Sequence, residues 1–128
     1  MSKLLLIGIF GAAGAVSRYL ASGVAVRWCG ESFPAGTLIV NVVGCFFIGV
    51  LYHVSQATTL VSDEWRTGIG IGFLGGLTTF STFGYETFFL LEEGLWRAAG
   101  INVVSNVLLG LAAVWLGVVL ARLLLGGA

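Results

Sequence analysis

The sequence predicts an all-α integral membrane protein of one domain, residues 1–128, with four transmembrane helices and a break in the third. Three observations predict it. Of 128 residues, 58% are hydrophobic and 9% charged, whereas soluble domains carry about 25% charged residues. Four windows reach the roughly 20 apolar residues that cross a bilayer, and the short polar turns "RWCGESFPA", "SQATTLVSDEW" and "EEGLW" separate them. Trp28, Trp65 and Trp96 fall at window ends, where indoles favour the membrane interface.

The first window runs from Leu4 to Val26. Lys3 followed by "LLLIGIFGAAGAV" has the form of a cleavable signal peptide. Everything downstream is equally membrane-like and needs no separate export signal, so this segment is expected to be retained. Gly11, Gly14 and Arg18 share one helical face. A glycine stripe admits a neighbouring backbone and directs Arg18 into a helix interface; snorkelling to the headgroups is the alternative. The second window, Gly36 to Val54, starts after the only proline, Pro34, and carries no formal charge. On it Thr37 and Asn41 share a face that Gly44 and Cys45 continue. The Asn41 amide, with two donors and an acceptor, can line a pore, though glue between helices is the commoner role of a lone membrane asparagine.

The third window, Thr67 to Leu91, is the anomaly. Gly68, Gly70, Gly72, Gly75 and Gly76 thin it, each costing a helix about 1 kcal/mol relative to alanine. Thr78, Thr79, Ser81 and Thr82 follow, and their hydroxyls compete with the helix for backbone groups. Unwound chain at membrane depth is tolerated only when buried in protein or lining a water-filled cavity, and its freed carbonyls can hold a cation. The alternative is a continuous helix whose hydroxyls back-bond while Phe80 and Phe83 pack in a core. The fourth window, Trp96 to Leu120, is flanked by Arg97 and Arg122. Its Asn102, Asn106 and Gly110, at intervals of four, suit tight packing as well as a pore.

Several functions are disfavoured. Six basic and six acidic residues balance, which argues against a nucleic-acid partner. Cys29 and Cys45 have no metal-ligand spacing; Cys45 reads as a packing residue, with a disulfide to Cys29 as the alternative. His53 is a lone histidine at a helix end and reads as interfacial. No nucleophile–base pair or phosphate loop supports an enzyme. The membrane inventory of amides, hydroxyls, one arginine and Glu86 suits an anion better than a metal cation, which takes carboxylate, imidazole or thiolate ligands. The edges of Phe80 and Phe83 carry positive potential and also fit an anion. Lys3, Arg66 and Arg122 on one side face Arg27 and Arg97 on the other, so the loops carry almost no orientation bias. Insertion both ways would permit an antiparallel homodimer with its axis in the membrane plane.

Taken in order, "GAAGAVSRY" (11–19), "GTLIVNVVGCFFIG" (36–49) and "GFLGGLTTFSTFGYE" (72–86) resemble the bacterial CrcB/Fluc family of fluoride channels across nearly the whole chain. The resemblance implies a dual-topology antiparallel homodimer in the inner membrane. Its two pores would let fluoride leave the cytoplasm passively. It implies a central Na⁺ held by backbone carbonyls of Gly75 and Thr78. Phe80 and Phe83 match the paired phenylalanines on the fluoride pathway and Asn41 its asparagine. Thr37 and Ser81 match polar groups along it, with Thr82 beside them. Arg18 matches an arginine of the vestibule that attracts anions, and Glu86 a glutamate near the pathway. Asn102 and Asn106 align firmly with no family pattern, so the resemblance assigns them no pore role. The competing reading is a small multidrug-resistance type cation exporter, which needs a carboxylate in its first helix, where this chain has Arg18 and no acid.

Overall fold

A computed structural model describes residues 2–125. Helix α1 spans Lys3–Cys29, opened by Ser2, whose Oγ accepts the Leu5 N–H at 3.3 Å, and closed at Gly30 with φ 78°. That left-handed backbone favours glycine, which has no Cβ to clash. Helix α2 spans Ala35–Ala57 and helix α6 spans Trp96–Leu125. These three, 27, 23 and 30 residues long, are long and apolar enough to cross a membrane. Each outlasts its sequence window by four or five residues, because the windows follow hydropathy while the helical ladder continues into polar flanks such as Arg27 and Arg122.

The stretch between α2 and α6 is segmented. Helix α3 spans Asp63–Thr67, a π-helical segment covers Gly68–Leu74, helix α4 spans Gly75–Leu77 and helix α5 spans Phe80–Glu92. Between α4 and α5 the backbone is extended, with φ/ψ of −82°/157° at Thr78 and −153°/118° at Thr79. A second left-handed glycine, Gly94 at φ 73°, turns the chain from α5 into α6.

Beside a small apolar cluster of Val40, Leu51, Leu74 and Leu77, the packing places glycines and polar groups inside and most of the leucines and tryptophans outside. A Cβ built on Gly14 would stand 2.1 Å from the Phe73 carbonyl oxygen, and one on Gly76 would stand 2.6 Å from that of Gly11. These contacts bring α1 against the glycine-rich segment, backbone to backbone. Gly49 and Gly117 do the same for α2 and α6, at 2.4 Å from the Val114 oxygen and 2.2 Å from the Phe46 oxygen. In a bilayer, lipid is as apolar as leucine, so helices associate through close packing and hydrogen bonds rather than by hiding apolar side chains. Accordingly Asn102 is fully buried, whereas Leu4, Leu111 and Leu123 are exposed. Outside the apolar layer, Asp63 at the head of α3 pairs with both Lys3 and Arg66, tying the start of α1 to the start of α3.

The glycine contacts make Gly14→Ala destabilising by about 1–3 kcal/mol, the cost of overpacking. Gly8→Ala, which meets nothing within 4 Å, should be neutral or slightly stabilising; thermal unfolding in detergent checks both. The hydrogen bond from Lys3 and then its charge, with a lesser contribution from Arg66, hold the Asp63 carboxyl below its ordinary value of 3.8. The tether therefore contributes above that value and is lost as pH falls through the lowered one. The melting difference between wild type and Asp63→Asn should be small at neutral pH and vanish in acid; a difference that grows on acidification would contradict the pairing.

Candidate functional site

The site follows from where the backbone groups at the break find partners. In a continuous helix the Thr79 N–H would bond the Gly75 carbonyl, four residues back. Instead it donates to Asn41 Oδ1 at 2.8 Å. The Thr82 N–H would likewise bond the Thr78 carbonyl, but it donates to Thr79 Oγ1 at 3.1 Å, where Thr79 caps α5. Two side chains thus release two carbonyls, those of Gly75 and Thr78, from the helical ladder. The Thr78 oxygen accepts from Arg18 Nη1 at 3.4 Å. Thr78 Oγ1 back-bonds to the Leu74 carbonyl at 3.0 Å, yet the helix still stops beyond it.

Asn41 also donates from Nδ2 to the Thr79 carbonyl at 3.2 Å and to Asn106 Oδ1 at 3.0 Å. Asn106 Nδ2 donates to both the backbone oxygen and the Oδ1 of Asn102, each at 3.0 Å. Asn102 Nδ2 donates to Thr87 Oγ1 at 3.0 Å, and Thr87 Oγ1 to the Phe83 carbonyl at 2.8 Å. Rotating the Asn41 amide by 180° would set an NH₂ against the Thr79 N–H, donor to donor. The orientation of this chain is therefore dictated by its own chemistry. Asn41 is glue between elements, and it also faces a cavity.

That cavity, of about 370 Å³, is lined by Asn41, Gly75, Thr78, Thr79, Phe80, Phe83 and Asn106 among others. It has room for several waters at about 30 Å³ each. The rings of Phe80 and Phe83 meet at 5.5 Å between centroids and 57° between planes. Phe83 is 9% exposed and Phe80 82%. Ser81 and Thr82 are exposed beside it, within 3.4 and 3.0 Å of Thr79 Oγ1. One turn earlier on α2, Thr37 Oγ1 donates to Glu86 Oε1 at 2.8 Å. The pair lies on a second cavity of about 350 Å³ that also reaches Glu31 and Glu93. Glu86 Oε2 is shielded and has no hydrogen-bond partner among the described residues.

The sequence-derived residues therefore fall into connected groups. Asn41, Gly75, Thr78, Phe80 and Phe83 share one cavity, with Ser81 and Thr82 at its side; Thr37 and Glu86 share the other. Arg18 is half-buried on the break itself, through its bond to Thr78. Thr79, Asn106, Asn102 and Thr87 were not singled out for the site. The four-residue spacing of the two asparagines was visible, but nothing in the sequence showed what they face. Among the described residues both cysteines are free, with Cys45 packed near Gly110. No group of three His, Cys, Asp or Glu side chains gathers for a metal among them. The hard oxygens released at Gly75 and Thr78 do suit a hard cation such as Na⁺, which takes backbone carbonyls.

Residues 5–118 match the family model described as CrcB-like protein, Camphor Resistance (CrcB). The chain belongs to the CrcB family. Members similar to it include the fluoride-specific ion channel FluC of Geobacter metallireducens, 52% identical over 95% of this chain and 98% of that one. The FluC of Geobacter sulfurreducens is 51% identical with the same coverage. That of Vibrio campbellii is 47% identical over 91% of this chain and 92% of its own. These CrcB relatives are channels rather than enzymes, and they are bacterial. With its long apolar helices, this CrcB chain is a multi-pass protein of the bacterial inner membrane.

Thr79→Val keeps the shape of the side chain and removes the α5 cap, which should cost about 1 kcal/mol. Thr79→Ser should restore it. Amide hydrogen exchange at Thr82 reads the cap directly; unchanged exchange in Thr79→Val would mean that Thr79 Oγ1 does not hold that N–H.

Proposed function

We propose that this CrcB-family chain forms a fluoride-selective channel, in which two copies assemble antiparallel around two pores and a central Na⁺. The observation that carries the reading is the cavity at the break, where amide and hydroxyl groups meet two phenylalanine rings beside released carbonyls. The name of the relatives, fluoride-specific ion channel, supports the choice of ion.

Residues 67–91 act in this reading as a third, broken span, giving four in all. Extended backbone at membrane depth needs protein or water around it. Yet Gly75 and Phe80 are exposed in the single chain, and a second copy seated there would cover them. The near absence of loop-charge bias permits that copy to be inverted. Gly75 and Thr78 would hold Na⁺ by their carbonyl oxygens, and the ion would supply a fixed positive charge at the centre of an anion pathway. Each pore would run past Thr37 and Glu86, then Asn41, Phe80, Ser81 and Phe83, with Thr82 beside it. Arg18, on the Thr78 carbonyl, adds positive potential nearby. Fluoride is small and strongly hydrated, so its water must be replaced in stages by donors that bind weakly enough to release it. Hydroxyls, amides and ring edges meet that need. A membrane potential negative inside drives an anion outward, so efflux needs no further energy source.

The alternative, a small cation exporter, lacks its carboxylate: α1 carries no acidic residue. Fluoride efflux from liposomes, against a chloride control, tests the proposal, and flux no greater than from empty vesicles would sink it. Phe83→Ile should cut fluoride flux about tenfold, the worth of roughly 1.4 kcal/mol of ring-edge contact, while the protein remains dimeric. Asn41→Asp, placing a carboxylate in the anion path, should abolish flux; wild-type rates in both variants would remove Asn41 and the ring edges from the pathway.

A further inference from the structure

The asparagine chain on α6 ends at the same peptide group whose absence from the helical ladder releases the Gly75 carbonyl. Asn102 offers two oxygens, one backbone and one side-chain, and both accept from Asn106 Nδ2. This leaves Asn106 one orientation, with Oδ1 toward Asn41. Asn41 must then turn its NH₂ toward Asn106 and its Oδ1 toward the Thr79 N–H. With that N–H engaged, Gly75 loses its helical partner. The polarity of a backbone carbonyl at Asn102 is thus passed through two amides to the far side of the break.

We propose that Asn106 is a positioning residue for the cation site: by fixing the Asn41 amide, it keeps the Thr79 N–H away from the Gly75 carbonyl and leaves that oxygen free for Na⁺. This rests on the reading that the Gly75 and Thr78 carbonyls hold the cation. Asn106 touches no cation ligand itself. Its effect passes through Asn41, which couples the fluoride pathway to the cation site. Without Asn106, the Asn41 amide is anchored only by the Thr79 peptide and releases it more often. On each release the Thr79 N–H is open to exchange, and it competes with a cation for the Gly75 carbonyl. The Asn102–Thr87 bond lies beyond the orienting step, because Asn106 already finds both of its acceptors on Asn102.

Full-length protein purified without Na⁺ is titrated with ²²Na⁺, and Thr79 amide hydrogen exchange is measured in parallel without fluoride flux. Asn106→Leu, close to asparagine in size, should weaken Na⁺ binding about tenfold and speed Thr79 exchange by a similar factor. Tenfold corresponds to about 1.4 kcal/mol, one hydrogen bond's worth. Asn106→Ser, too short to bridge Asn41 and Asn102 but easily accommodated in a helix interface, should shift both in the same direction and serves if the leucine variant does not fold. Thr87→Val should leave Na⁺ binding within about twofold of wild type. Unchanged Na⁺ affinity in both Asn106 variants overturns the inference, as does an equal loss in Thr87→Val, which would mark general packing damage. Wild-type protein that conducts fluoride but retains no ²²Na⁺ would instead defeat the cation reading on which the inference rests.

Discussion

The arrangement depends on one exchange of hydrogen bonds: Asn41 takes the Thr79 peptide, accepting its N–H and donating to its C=O. A side-chain amide presents the same donor and acceptor as a backbone peptide, so Asn41 satisfies both groups of the Thr79 peptide while the Gly75 carbonyl gives up its helical partner. In an apolar surround an unpaired peptide group costs several kcal/mol. Extended chain at Thr78 and Thr79 is affordable there only because α2 supplies the missing partner. The cavity, the released carbonyls and the start of α5 all follow from it.

Around that exchange the fold inverts the usual soluble pattern. Glycines at 14, 49, 76 and 117 bring backbones into contact, and asparagine and threonine side chains bond between elements. Leucine and tryptophan are largely turned outward. Where water cannot compete, hydrogen bonds and close packing give the helices their relative positions. The same groups that pack the helices therefore line the cavity. This is why Asn41 reads as both glue and lining: its donors bridge to α6 and to the break while its side chain borders the open space.

Legibility differed from residue to residue. The positions of α1, α2 and α6 follow from apolar length, and they lie within a few residues of the expected bounds. Gly75, Thr78, Phe80 and Phe83 were prominent because glycine, hydroxyls and aromatics in one apolar span conflict with a plain lipid-facing helix. Asn102 and Asn106 were visible only as a spacing. A four-residue interval shows which residues share a face, while their partners, Asn41 and Thr87, come from other elements. Arg18 was assigned to a helix face by its glycines; its bond to Thr78 depends on how α1 lies across the break.

By itself the sequence determined the membrane class, the long helices and the chemistry of the glycine- and hydroxyl-rich stretch. Hydropathy, helical period and residue type are local properties that do not depend on partners. Tertiary structure alone decided which peptide loses its helical bond, because the competing acceptor on Asn41 stands 38 residues away along the chain. It also decided that the asparagines of α6 face that acceptor. Hydrogen bonds need donor and acceptor within about 3 Å, and only the packing of one helix on another sets such a distance.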